Sequence, residues 1–367
     1  MKAVILVGGF TNQMRPLTMT QPLPLLEFCN RTLLSHQLQA LKDAGITEVI
    51  ISYYEKAVGT TWDESIKRLE KELGMRIVCS LEEKAGGTAG ALKLAEAIIT
   101  DEGTNNSPFI LVNSDVLCSY PLRDLLHQHV KHAREGTVLI TRDENPSEYG
   151  VVVTDAKTGR VLHFVEKPST FLSDHVNTGV YVFSPSIFKR IPVGRAVSMN
   201  ELLPIMAVED ELQSMLLTGY WVKLTNADSF RDAVRQHLEI NQFMSPALLA
   251  SSMADYEIRG NVMVHPTAKI GHGCVLGPSV VVGPDCLIED GVRLEGSTLL
   301  QDVHVQAHAI IKDSIIGWSS NIGRWCFITN SMFGEDVTVD EALLINQATV
   351  LPHKELTSNV RSKQIVI

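Results

Sequence analysis

Gly8 and Gly9 follow the apolar run KAVILV, and Asp115 closes the apolar run FILVNSD. Both runs are short and apolar, the first rich in β-branched residues, which reads as buried strands with these residues just past their carboxyl ends. Adjacent glycines at such a point let backbone N–H groups approach an anion with no Cβ in the way, the arrangement that cradles phosphate. By residue type alone, a glycine pair is equally an ordinary turn and Asp115 an ordinary strand-end cap.

Elements that would hold these residues in place alternate through the first two-thirds of the chain. After KAVILV comes RTLLSHQLQALKDAGI, where Leu33, Leu34, Leu38 and Leu41 recur at helical spacing and stop before Gly45. TEVIISY, WDESIKRLEKELG and RIVCS then read as strand, helix and strand, and GTAGALKLAEAI opens a helix on a glycine-rich turn. The alternation predicts a doubly wound, mainly parallel sheet with helices on both faces. In such sheets ligands sit beyond the carboxyl ends of the strands, which is where Gly8, Gly9 and Asp115 fall.

Near residue 259 helical periodicity gives way to a six-residue repeat. Val264, Ile270, Leu276, Val282, Ile288, Leu294 and Leu300 follow one another at that interval, with glycine directly after three of them, at Gly271, Gly277 and Gly283. After a shift of register the pattern resumes at Ile310, Ile316, Ile322 and Ile328. Such a period gives one flat strand per face of a triangular coil, so the prediction is a left-handed parallel β-helix of hexapeptide repeats. The expected boundaries are 1–235 for the sheet domain, 236–258 for a linker and 259–367 for the β-helix. Solenoid ends need covering and flat faces stack, so a homo- or hetero-oligomer is expected.

Composition narrows the function classes. A hydrophobic fraction of 45% with 20% charged residues is that of a soluble globular protein. No apolar run reaches the ~18 residues that would span a bilayer, and the N-terminus starts on a strand, so a cytoplasmic protein without membrane contact is expected. A formal net charge of −10 argues against nucleic-acid binding, which uses basic stripes. Local cations in a cleft still permit a small phosphorylated ligand. Cys29, Cys79, Cys118, Cys274, Cys286 and Cys326 lack metal-ligand spacing and read as reduced packing thiols.

A wound nucleotide domain followed by hexapeptide repeats resembles the sugar-1-phosphate nucleotidylyltransferases. MKAVILVGGF, RPLT, GTAG, NSDV, YGVVV, FVEKP, NTGVY, SIIGW and LPHKE together make the chain similar, along its whole length, to the β-type GDP-mannose pyrophosphorylase family. That resemblance implies conversion of GTP and mannose 1-phosphate to GDP-mannose and pyrophosphate, with magnesium and cationic side chains offsetting phosphate charge. It further implies that Gly8 and Gly9 begin the nucleotide loop, that Gly87 and Thr88 hold the base, and that Asp115 is a magnesium ligand, a hard oxygen suited to that ion. Glu166, Lys167 and Asn177 match positions that hold the sugar and its phosphate.

The departures from the family pattern fall on the chemistry. Thr11 replaces a loop glycine and Gln13 replaces the arginine that clamps the phosphates, keeping donors but no charge. Leu23, in PLP, stands where a phosphate-binding lysine is expected, and Met199 where a glutamate is, while Glu201 is kept. In EEKAGGTAG, Lys84 and Gly86 replace an acid and a leucine. Most telling, WVKLT puts Lys223 in place of the second metal-binding aspartate. At an effective dielectric near 20, unit charges ~4 Å apart interact by about 4 kcal/mol, and a divalent ion roughly doubles that. The substitution exchanges that attraction for a repulsion, and Lys223 becomes a partner for Asp115 itself.

No catalytic position is intact in this comparison, Gln13, Leu23 and Lys223 all being altered, yet the hydrophobic stretches and repeats are preserved. The expectation is a GDP-mannose pyrophosphorylase-like protein with weak or no catalysis, binding GTP or GDP-mannose and acting as a regulatory or structural partner of an active subunit. Two alternatives stand beside it: an active mannose-1-phosphate guanylyltransferase using mannose 1-phosphate, and a nucleotide-sugar sensor; Mg²⁺ is the cofactor expected if the chain is active, with no cofactor as the other expectation.

Overall fold

A computed structural model describes residues 1–8, 12–54, 59, 61–82, 87–101, 107–192 and 195–367. It contains β1 (Lys2–Val7), α1 (Leu33–Asp43), β2 (Glu48–Tyr54), α2 (Trp62–Leu73), β3 (Arg76–Glu82), α3 (Gly87–Leu94), β4 (Phe109–Asn113) and β5 (Val116–Cys118). There follow α4 (Leu122–His132), β6 (Gly136–Arg142), β7 (Gly150–Thr154), β8 (Val161–Glu166), β9 (His175–Phe183), α5 (Met199–Val208), β10 (Leu212–Leu216), β11 (Trp221–Lys223) and α6 (Ala227–Met244). From Tyr256 onward, short strands form three parallel sheets.

The chain forms two compact units that do not follow its order. One comprises Met1–Thr11 and Leu34–Lys223, the other Asn12–Leu33 and Leu224–Ile367. The stretch expected to link two domains, 236–258, holds the end of α6, and residue 235 lies inside that helix.

In the first unit the main sheet runs β8-β7-β9-β4-β1-β2-β3, with β6 on β9 and β10 on β6. Strands β3, β2, β1 and β4 are parallel, as the alternating pattern predicts. β9 then joins antiparallel to β4, and β7 and β8 antiparallel beyond it, so the sheet is mixed. The all-buried β1 shows why the parallel half is a continuous apolar run: helices cover both faces. α2 supplies one such cover with Trp62, Ile66, Leu69 and Leu73 on one stripe, and it ends where Gly74 adopts φ +61°.

The second unit is a triangular coil whose strands stack in three parallel sheets. In one of its sheets the first two steps span 18 residues, pairing Tyr256 with Cys274 and Val275 with Arg293, and the next two span 17, pairing Arg293 with Ile310 and Ile310 with Phe327. One side of each later triangle is therefore one residue shorter. This explains the shift of register in the sequence and corrects two positions: Leu299 and Ile311, not Leu300 and Ile310, belong to the coil's core cluster. Val264 and Ile270, in the first turn, are only partly buried against it. Corner residues such as Asp285, Asp302 and Asp336 take φ of 57°, 61° and 54°, a conformation Asp tolerates better than most side chains. On the short side, Ser297, Ser314 and Ser331 form a buried ladder. The Ser314 N–H donates to Ser297 Oγ at 3.1 Å, and the Ser331 N–H to Ser314 Oγ at 3.0 Å.

Asn12–Leu33 belongs to this unit through side-chain contacts. Phe28 lies edge-on to Phe230 of α6 at 5.7 Å, and Asn30 Nδ2 donates to the Val282 carbonyl at 3.2 Å. All six cysteines are free thiols and only Cys79 is exposed, in keeping with a packing role. Among the described residues no helix is long and apolar enough to cross a membrane.

Candidate functional site

Asp115 sits in the turn between β4 and β5, and that turn is pinned from three directions. Gln37, fully buried on α1, donates from Nε2 to the carbonyls of Asn113 and Val116, each at 3.0 Å. The Ser114 N–H donates to the Leu6 carbonyl at 3.0 Å, and the Tyr120 hydroxyl to Val116 O at 2.5 Å. A carboxylate held on such a backbone keeps its direction.

β11 pairs antiparallel with β5, placing Lys223 opposite Val116 and so beside Asp115. The Lys223 ammonium stands 3.6 Å from Asp115 Oδ2, with the lysine side chain 37% exposed and the aspartate 19%. The strand register thus brings the two residues side by side. The same short strand carries Trp221, whose Nε1 donates to the Thr178 carbonyl at 2.9 Å and whose ring meets Tyr149 edge-on at 5.1 Å.

A cleft of about 370 Å³ opens here, and Gly87, Thr88, Glu166, Lys167, Asn177 and Lys223 all line it. Asp115 is not among the residues that line the cleft; its ion-pair partner Lys223 is. Glu166 ends β8 opposite Gly150, and Lys167 follows with φ +44°, its N–H donating to the Tyr149 carbonyl at 3.0 Å. The Lys167 ammonium has no ion-pair partner among the described residues. Gly87 opens α3 at φ +73°, and a Cβ there would lie 2.5 Å from the Val197 carbonyl oxygen, so no other residue fits. The Thr88 hydroxyl accepts the Met199 N–H at 2.8 Å, tying α3 to the start of α5. Glu201 is occupied in the α5 capping box, accepting the Ser198 N–H at 3.0 Å.

β9 bulges between Asn177 and Tyr181 where it pairs with β6. In a regular strand residues four apart are separated by ~13 Å. The bulge and the reach of tyrosine bring Asn177 Nδ2 to donate to Tyr181 Oη at 2.6 Å. Tyr181 lines the cleft though its side chain is nearly all buried, and burial raises its phenol well above the ordinary tyrosine range. Neither Tyr181 nor Gln37 emerged from sequence reasoning. Gly179 inside an apolar strand was the available signal for the bulge.

Gly8 directly follows β1, and among the described residues no atom lies within 4 Å of where its Cβ would go. Gly9, Thr11, Lys84 and Gly86 fall outside the described residues. Gln13 and Leu23 belong to the second unit, not to the unit that holds the cleft. Leu23 is 6% exposed in a single 3-10 turn, so it is a packing residue.

Two sequence profiles cover most of the chain: nucleotidyl transferase over residues 2–240 and the GMPPB C-terminal domain over residues 258–366. Over the full length of both chains it is 41% identical to the mannose-1-phosphate guanylyltransferase catalytic subunit beta of Danio rerio. Mannose-1-phosphate guanylyltransferase 1 of Arabidopsis thaliana is 40% identical, also over both full lengths. The chain belongs to the mannose-1-phosphate guanylyltransferase family. A solved chain of a candidate glucose-1-phosphate thymidylyltransferase from Bacillus anthracis shares the fold alone. It is 22% identical with a TM-score of 0.56, covering 63% of this chain and 93% of that one.

As a guanylyltransferase-family chain it would be expected to hold magnesium at Asp115, and its residues do not fit that ion. A hard dication needs several oxygen ligands, whereas Asp115 faces an ammonium 3.6 Å away. Among the described residues no three His, Cys, Asp or Glu side chains gather as a metal site.

Proposed function

We propose that this GDP-mannose pyrophosphorylase-like chain has weak or no catalysis and serves as a regulatory or structural partner of an active subunit in nucleotide-sugar metabolism. The ion pair between Lys223 and Asp115 carries the reading, because it fills with fixed charge the place where the family needs a metal. Glu166, Lys167 and Asn177 gather in one cleft, so a ligand with hydroxyls and phosphate keeps its partners there, GDP-mannose being the family's product and GTP and mannose 1-phosphate its substrates. Gln13 and Leu23, both uncharged, supply no clamp for the transferring phosphate. Clamp residues of this kind are worth about 10³ to 10⁵ in phosphoryl transfer, so purified protein is expected to release pyrophosphate at least a thousandfold more slowly than an intact relative. A turnover in the ordinary range of about 1 to 10³ per second, measured with GTP, mannose 1-phosphate and magnesium, would refute the proposal.

A further inference from the structure

Lys223 is the one cleft residue whose charge runs against its surroundings in the family pattern, and its position is fixed by backbone pairing. An ammonium carries three donors, and a contact to Asp115 Oδ2 at 3.6 Å engages at most one of them. With the side chain 37% exposed at the cleft wall, the others are free to meet a ligand. Asp115 is held by the pinned turn around Gln37 and so acts as an anchor for the ammonium, limiting the rotamer freedom that makes lysine a loose binder. Lys167 adds a second cation to the same cleft with no carboxylate claiming it among the described residues. The cleft lining thus sets two ammonium groups, Lys167 and Lys223, beside the carboxylates of Glu148 and Glu166, and the two lysines are where a phosphate would find cationic donors.

We propose that this chain binds a nucleoside diphosphate sugar without any divalent cation, the Lys223 ammonium, anchored by Asp115, meeting the ligand's phosphates. The inference rests on the reading above that the cleft is a nucleotide-sugar site. It differs in what it requires, since binding must survive removal of magnesium. One unit of charge replaces two, and no ion bridges the phosphate oxygens, so the arrangement holds a ligand but does not align an in-line attack.

Calorimetry with the full chain and GDP-mannose as probe, in magnesium buffer and again in EDTA, tests this. The wild-type affinity is expected to agree within about threefold between the two buffers, whereas an ion-dependent site would lose far more than the tenfold that corresponds to about 1.4 kcal/mol. Lys223→Met should weaken binding at least tenfold in both buffers, and Lys223→Asp should make binding depend on magnesium. Melting curves of both variants separate loss of binding from loss of fold, and the wild-type comparison needs no variant. Loss of wild-type binding on chelation, absence of binding in both buffers, or full affinity in a folded Lys223→Met would each overturn the proposal. Failure of the weak-catalysis reading appears separately, as pyrophosphate turnover.

Discussion

Leu23 and His129 show how single positions acquire roles from their surroundings. Leu23 occupies a place where relatives are expected to carry a lysine, yet it is packed at 6% exposure. Restoring the charge there would bury an ammonium, and Leu23→Lys is expected to cost about 2–4 kcal/mol of stability. An unchanged urea midpoint would contradict this. His129 of α4 is 3% exposed, its Nδ1 2.8 Å from Thr137 Oγ1, and burial together with the neighbouring His132 lowers its pKa to about 4. An unfolded histidine titrates near 6.5, so between these values the unfolded chain binds the extra proton. The contribution is complete above about pH 6.5 and is lost as pH falls toward 4, on the order of 3 kcal/mol in all. Urea midpoints compared at pH 7 and pH 4.5 should fall accordingly, and equal midpoints would rule it out.

Among the elements, the coil's short side is the part whose logic is most local. Along it the serine ladder accepts backbone N–H groups at 3.0 to 3.1 Å. Ser314→Ala would leave the buried Ser331 N–H without its acceptor, which costs about 1–3 kcal/mol. Thermal unfolding of the full-length variant is expected to show that loss, and a wild-type transition would mean the ladder contributes nothing. The serines at 297, 314 and 331 repeat at 17, the observed length of a turn. That spacing was present in the sequence, hidden beneath the stronger six-residue aliphatic signal. Strand register in the sheet was less legible. The alternation of elements implied parallel pairing for β1 to β4, but β7 to β9 are antiparallel and their order depends on which edges remain open.

For the whole molecule, the exposed faces of the coil around Val264 to Leu300, and the LPHKE segment, are expected to make subunit contacts. Light scattering at micromolar concentration should therefore give a mass above the 40.4 kDa of one chain, and a monomer alone would exclude it. Periods of two, 3.6 and six residues are written within short windows, because each records which side of one element faces apolar surroundings. For that reason the sheet unit and the coil were visible in the sequence by itself, while six of the residues that line the cleft, Lys223 with its reversed charge among them, were singled out by the family resemblance. Tertiary structure alone decided that Asn12–Leu33 joins the second unit, that Gln37 pins the turn of Asp115, and that Asn177 meets Tyr181 across a bulge. It also set the 3.6 Å between Lys223 and Asp115, residues far apart in the chain. Such contacts depend on the register between distant strands, and register is set by the packing of the entire sheet, which no local pattern of residues encodes.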